Sequence, residues 1–189
     1  MKFVYDRPTD AYCWDQINAQ VSIFGEEKKT GEYPVSRRTM RRFMTVWKPN
    51  IEKKFRIGMV RIFGKEFDKK NICYINSTLY SMEVPGGISI SAGTKMPIRS
   101  ICHEANHVMF RNSDYKKRYF PRRNVEDAKE IFTVLNNIYF QSIIEQQDIG
   151  WRKFWKERYQ FLLLWLATHP DVLRHEKIKV FGGRRRSTP

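Results

Sequence analysis

At 189 residues, with 41% hydrophobic and 14% aromatic side chains, the chain can bury one core but is too short for two large domains. Its 35 Lys and Arg against 20 Asp and Glu give a formal charge of +15, which draws a protein to polyanions (nucleic acid, an anionic membrane surface, an acidic protein) unless it only solubilises the surface. Cys13, Cys73 and Cys102 lack CxxC spacing, which excludes a disulfide framework or zinc ribbon and suits a reducing cytoplasm; the start MKFVYDRPTD carries no leader-like apolar run, and the apolar stretch 161–167 cannot span a bilayer.

The first 35 residues have weak periodicity, and Tyr12–Phe24 fits either a strand or a short helix. A polar loop is expected over Glu26–Pro34. Ser36 then suits the N-cap of a basic helix running through Trp47 and ended by Pro49, with Met40, Phe43, Met44 and Trp47 as its apolar stripe. Alternation over Arg56–Phe63 predicts a strand, and a second is expected within Asn71–Tyr80. Pro85-Gly86-Gly87 marks a turn before a third strand, Ile88, Ser89, Ile90, Ser91 and Ala92.

The next segment carries the chemistry. Ile98, Ile101, Cys102, Ala105, Val108 and Met109 recur at helical spacing, and Pro97 suits the first turn, with Thr94 or Lys95 just outside it. Beside that stripe stands His103-Glu104-Ala105-Asn106-His107, an HExxH motif. Two imidazoles four residues apart on a helix project from one face and can grip one ion, with the glutamate beside the metal's open position. A connector over Arg111–Asn124, basic and aromatic, leads to a predicted helix over Val125–Gln146. Glu126 and Glu130 lie four apart on one face of it. One can ligate a metal while the other accepts the N–H of a ligating histidine. Glu126 is the expected third ligand and Glu130 its supporting partner, with Asp127 or Glu130 as the ligand if the register differs. Gly150 breaks this helix, Trp151–Ala167 forms another, and His169-Pro170 ends that one.

From Gly86 to Asn137 the chain resembles the gluzincin zinc peptidases, which include thermolysin-like enzymes and small cores of the ImmA/IrrE type. The resemblance rests on His103-Glu104-x-x-His107, the eighteen residues 108–125, and then Glu126. It departs where Asp127 replaces a common alanine and Glu130 a usual aspartate. Phe110 and Ser113 break the metzincin pattern, and a third-histidine ligand as in SprT-like proteases would have to come from the distant His169 or His175. The resemblance implies an α+β, zincin-like fold: a small mixed or antiparallel sheet, then the HExxH helix and a second metal-ligand helix. It implies one Zn²⁺ held by His103, His107 and Glu126, and peptide hydrolysis with Glu104 as general base. A protein or peptide substrate would lie along the 88–92 strand as the sheet's edge, with His169, Tyr139 or Tyr119 as oxyanion donor.

The expected organisation is one domain over 1–180: a basic part at 1–50, the catalytic core at 55–148 and a packing helix at 150–168. A basic flexible tail follows at 181–189. The competing reading is a basic nucleic-acid-associated protein whose zinc site is structural or vestigial. Either way, the chain is expected to be cytoplasmic and without a membrane span.

Overall fold

The structure, a computed structural model, describes residues 1–24, 32–68 and 70–175. The expected basic tail and most of the Glu26–Pro34 loop lie outside the described residues. The first strand, β1 (Lys2–Val4), leads into α1 (Arg7–Phe24), so the Tyr12–Phe24 segment is helical. Next comes α2 (Arg37–Val46), which begins as its sequence predicts. Ser36 Oγ accepts from Thr39 N, and Thr39 Oγ1 accepts from Ser36 N, closing a capping box.

Arg56–Phe63 is not a strand. It is the second half of α3 (Pro49–Phe63), with Pro49 in its first turn and Gly64 closing it at φ 70°. Phe55, Gly58, Met59 and Ile62 are its buried positions, at the three- and four-residue spacing of one helix face, while Ile57 and Val60 stay exposed. Those exposed apolar side chains create the alternation that imitates a strand.

The sheet contains β2 (Ile72–Asn76), β3 (Met82–Val84) and β4 (Gly87–Ser91) in the order β1-β2-β4-β3. β1, β2 and β4 run parallel, while β3 pairs antiparallel to β4 across the tight Pro85-Gly86 turn. The predicted 88–92 strand is therefore an inner strand. It bonds to β2 on one side and β3 on the other, and every residue of β4 is buried. The edge next to it is β3.

Helix α4 (Pro97–Arg111) carries the HExxH motif and packs on β4, α3 and α6 (Val125–Phe132). Neither Thr94 nor Lys95 caps it; Met96 occupies that position without a side-chain bond. The free N–H groups of its first turn are met from far along the chain: Glu145 accepts from Ile98 N at 2.9 Å and Arg99 N at 3.0 Å. A short α5 (Tyr115–Tyr119) interrupts the 111–124 connector.

The expected helix over 125–146 is broken. After α6 the chain tightens into a 3₁₀ turn (Thr133–Leu135) and a last turn, α7 (Asn136–Tyr139). The Glu130 carbonyl explains the break: it accepts from Thr133 Oγ1 at 2.9 Å and from Arg158 Nη1. A 3₁₀ turn (Arg152–Phe154) opens α8 (Trp155–Thr168), and α9 (Pro170–His175) follows. One buried cluster extends from Phe43 to Val172, so α2, α3, the motif region and α8 share a core. Cys13, Cys73 and Cys102 are all buried free thiols, and no helix among the described residues is long and apolar enough to cross a membrane.

Candidate metal centre

Helix α4 aims His103, Glu104 and His107 at one point. One ligand atom from each lies within 4.8 Å of the others, a cluster that could hold a metal ion. The fourth member comes from α6, and it is Glu130. Its two carboxylate oxygens face the two imidazoles, at 3.6 Å from His103 Nε2 and 3.5 Å from His107 Nε2. Glu126, the expected third ligand, is elsewhere. It is 59% exposed and tied to Lys129 Nζ at 2.8 Å and to Arg111. The reason is the crossing of the two helices. The start of α6 meets the end of α4, so Glu126 finds Arg111. One turn further along α6, about 5.4 Å, the chain meets the earlier turns of α4 where the histidines stand. Asp127 points back to its own cap, accepting from Asn124 Nδ2.

A hydrogen bond to a motif histidine, expected of Glu130, is made by Asp148. His103 Nδ1 lies 2.7 Å from Asp148 Oδ2. Burial opposes ionisation of Asp148, but His103, Arg158 and Asn136 outweigh it and hold the carboxyl well below the usual carboxylate range. An ionised carboxylate only accepts, so His103 Nδ1 carries the proton and Nε2 turns toward Glu130. Asp148 is itself clamped. It accepts from Asn136 Nδ2 at 3.0 Å and Gly150 N at 3.2 Å, while its backbone N–H donates to Asn137 Oδ1 at 2.6 Å. Beneath it lies Arg158, 2% exposed, which donates to Thr133 Oγ1, to the carbonyls of Glu130 and Asp148 and to Asp148 Oδ1. Asp148 and Arg158 carry no signal in the HExxH pattern. The nearest hint is an acidic residue just before the helix-breaking Ile149-Gly150.

The second imidazole is different. Burial, with the charge of His103, pushes His107 down to about 3, so it is neutral. Its Nδ1 faces Glu104 at 3.4 Å and Glu83 of β3 at 3.8 Å. Its Nε2 and Glu130 Oε2 are buried without a hydrogen-bond partner. Glu130 and the two imidazoles border one space without a hydrogen bond between them, a place a cation could fill. Burial lowers His103, but Asp148, Glu130 and Glu104 outweigh it and raise its pKa well above the ordinary value. Glu104 is pushed up by burial, against the pull of His103 and Lys129. Glu130 is held below its usual range because the histidines outweigh its burial.

Beside the cluster opens a cleft of about 360 Å³, lined by Arg99, Ser100, His103, Glu104, Asp148, Ile149, Gly150 and Trp151. Ile149 and Trp151 are 53% and 62% exposed and form its apolar lip. A larger hollow of about 580 Å³ on α3 has no metal-ligating cluster; its Glu52, Arg56 and Glu66 are tied to one another. The three expected oxyanion donors are not in the cleft wall. His169 stacks on Trp165 at 3.9 Å, Tyr139 accepts from Trp165 Nε1 at 3.0 Å, and Tyr119 packs among Tyr115, Phe161 and Trp165. Arg99 is the cationic side chain that does line it. No protein-family model, curated protein or solved structure matches the chain.

Proposed function

We propose that this protein is a zinc-dependent metallopeptidase with a gluzincin-like site. His103, His107 and Glu130 hold the metal, and Glu104 is the general base. The observation that carries the reading is the convergence of Glu130 from α6 on both imidazoles of an HExxH helix, with His107 Nε2 and Glu130 Oε2 otherwise unpartnered. This set of two imidazoles and a carboxylate is the donor chemistry of a catalytic zinc site. A zinc ion held there supplies a Lewis acid and brings the pKa of a bound water to about 7.

The remaining steps belong to the chain. Glu104, whose carboxylate burial makes more basic, takes a proton from water and returns it to the leaving amine. With a metal at Nε2, Asp148 would hold the remaining ring proton of His103 on Nδ1. Arg99, which lines the cleft, is the candidate to polarise the carbonyl under attack. The substrate edge moves from β4 to β3, whose outer side is unpaired in the sheet order, so an extended peptide would add there by backbone bonding.

The test is metal content of the purified protein by mass spectrometry, alongside peptide hydrolysis. Wild type should carry about one zinc per chain, and Glu130→Ala should lose it. Glu104→Gln should keep the zinc and lose hydrolysis. A wild type without zinc after reconstitution, or an active Glu104→Gln, would refute the proposal.

A further inference from the structure

One feature of the molecule has no part in the metal centre. The outer face of α2 carries Arg37, Arg38, Arg41 and Arg42, all exposed. Positions i, i+1, i+4 and i+5 fall on one side of a helix, in two stacked pairs. The helix contains no acidic residue. Among the described residues Arg37, Arg38 and Arg41 make no hydrogen bond or ion pair, and Arg42 donates to the Ala92 carbonyl at 2.7 Å. Cations near the metal centre are treated differently: Arg111 and Lys129 are paired to Glu83 and Glu126, and Arg158 to Asp148. Arg42 has a structural reason in its bond to Ala92 and its place over the Phe43 ring, but stability gives none for Arg37, Arg38 and Arg41. Arg37 and Arg38 occupy the first turn, where the helix dipole favours acids and disfavours cations. A local rule broken on a surface, without compensation inside the fold, marks a functional face.

The chemistry of the face selects among polyanions. A helix that lies in a membrane surface needs a free apolar side. The apolar side of α2 is spent on the core: Phe43 is fully buried, and Met40 and Val46 pack against the same cluster, leaving only Met44 exposed. Four guanidinium groups, with no lysine among them, present rigid two-pronged donors that match phosphate oxygens. We infer that the arginine face of α2 binds the phosphate backbone of nucleic acid, without reading sequence. The inference does not depend on the metal centre, and Glu104→Gln should bind as wild type does.

The test is fluorescence anisotropy of the full chain with duplex DNA, duplex RNA and single strands over a range of salt. Affinity for duplexes should fall linearly with salt on logarithmic axes, because each phosphate contact contributes a slope of about 0.9. Replacing Arg37, Arg38, Arg41 and Arg42 by Gln should reduce that slope by about 3.6 and weaken binding at least tenfold near 0.1 M salt. If loss of the Arg42 bond to Ala92 unfolds the protein, the variant of Arg37, Arg38 and Arg41 should still remove about 2.7. The control replaces Lys116, Lys117, Arg118 and Arg122 by Gln, an equal loss of charge around α5, and should leave the slope almost unchanged. Equal losses in both variants would assign binding to diffuse charge and overturn the inference. So would tighter binding to anionic lipid vesicles or polyglutamate than to any nucleic acid.

Discussion

At the scale of single residues, the two carboxylates Glu126 and Glu130 are separated by one helical turn and by everything in their surroundings. Glu126 is exposed between Arg111 and Lys129, and Glu130 is buried against two imidazoles. Glu126→Ala should therefore leave metal affinity within a few-fold of wild type, measured by chelator competition, whereas Glu130→Ala should abolish tight binding. The support behind the ligands is also a single residue. Asp148→Asn removes the charge that fixes the His103 tautomer, and loss of such a partner costs about 10–100-fold in affinity. An Asp148→Asn protein that binds zinc like wild type would show that the 2.7 Å contact does not set the imidazole's basicity. Much of this site was legible in sequence, because His103, Glu104 and His107 need only helical geometry to converge. That Glu130 and not Glu126 faces the imidazoles was not, because it depends on how α4 and α6 cross. Nor was Asp148, which reaches His103 across 45 residues of chain.

At the scale of elements, sequence punctuation was more reliable than periodicity. Ser36 and Thr39 cap α2 as expected, and Pro85-Gly86 turns the β3–β4 hairpin. The alternation at 56–63 misled because Ile57 and Val60 are exposed apolar residues on a helix, and the helix signals Pro49 and Gly64 outweigh it. The interior position of β4 follows from a tight hairpin in which β3 folds back to the outside, which no strand pattern encodes. Between α7 and the 3₁₀ turn that opens α8, the chain turns at Gly150. It sits at φ 58°, and a Cβ there would lie 2.5 Å from Arg158 Nη1. Gly86 has a comparable φ of 77° with nothing within 4 Å of its Cβ direction. Gly86→Ala should therefore cost only the backbone strain, about 1 kcal/mol. Gly150→Ala should cost about 1–3 kcal/mol more by crowding the buried guanidinium, read from urea midpoints of the two variants. Equal midpoints would mean that Arg158 can shift without loss, and the clamp on Asp148 would then be looser than its contacts suggest.

At the scale of the whole molecule, the excess of cations sets how the fold meets acid. A chain already at +15 gains more positive charge as its carboxylates protonate, and self-repulsion grows. Superimposed on this is Glu52, which joins the first strand to α3. Its carboxylate takes the Met1 amine at 2.8 Å and Arg56 at 2.7 Å, and these contacts lower it from 4.5 to about 2. As pH falls below 4.5 the unfolded chain takes up this proton first, so the stability Glu52 contributes is intact above that pH and is lost progressively down to about 2. The two effects respond differently to salt. Added salt screens the diffuse repulsion over about 10 Å at 0.1 M, but it weakens a direct, partly buried contact much less. Wild-type protein should thus lose its denaturation midpoint steeply from pH 4.5 to 2, with salt restoring only part of the loss. Glu52→Gln should be less stable at pH 7 and show a shallower acid limb, converging on wild type near pH 2. An acid limb of unchanged slope in that variant would show that the Glu52 contacts do not set it, and would leave the other depressed carboxylates, Asp148 and Glu130, and the general repulsion as its cause.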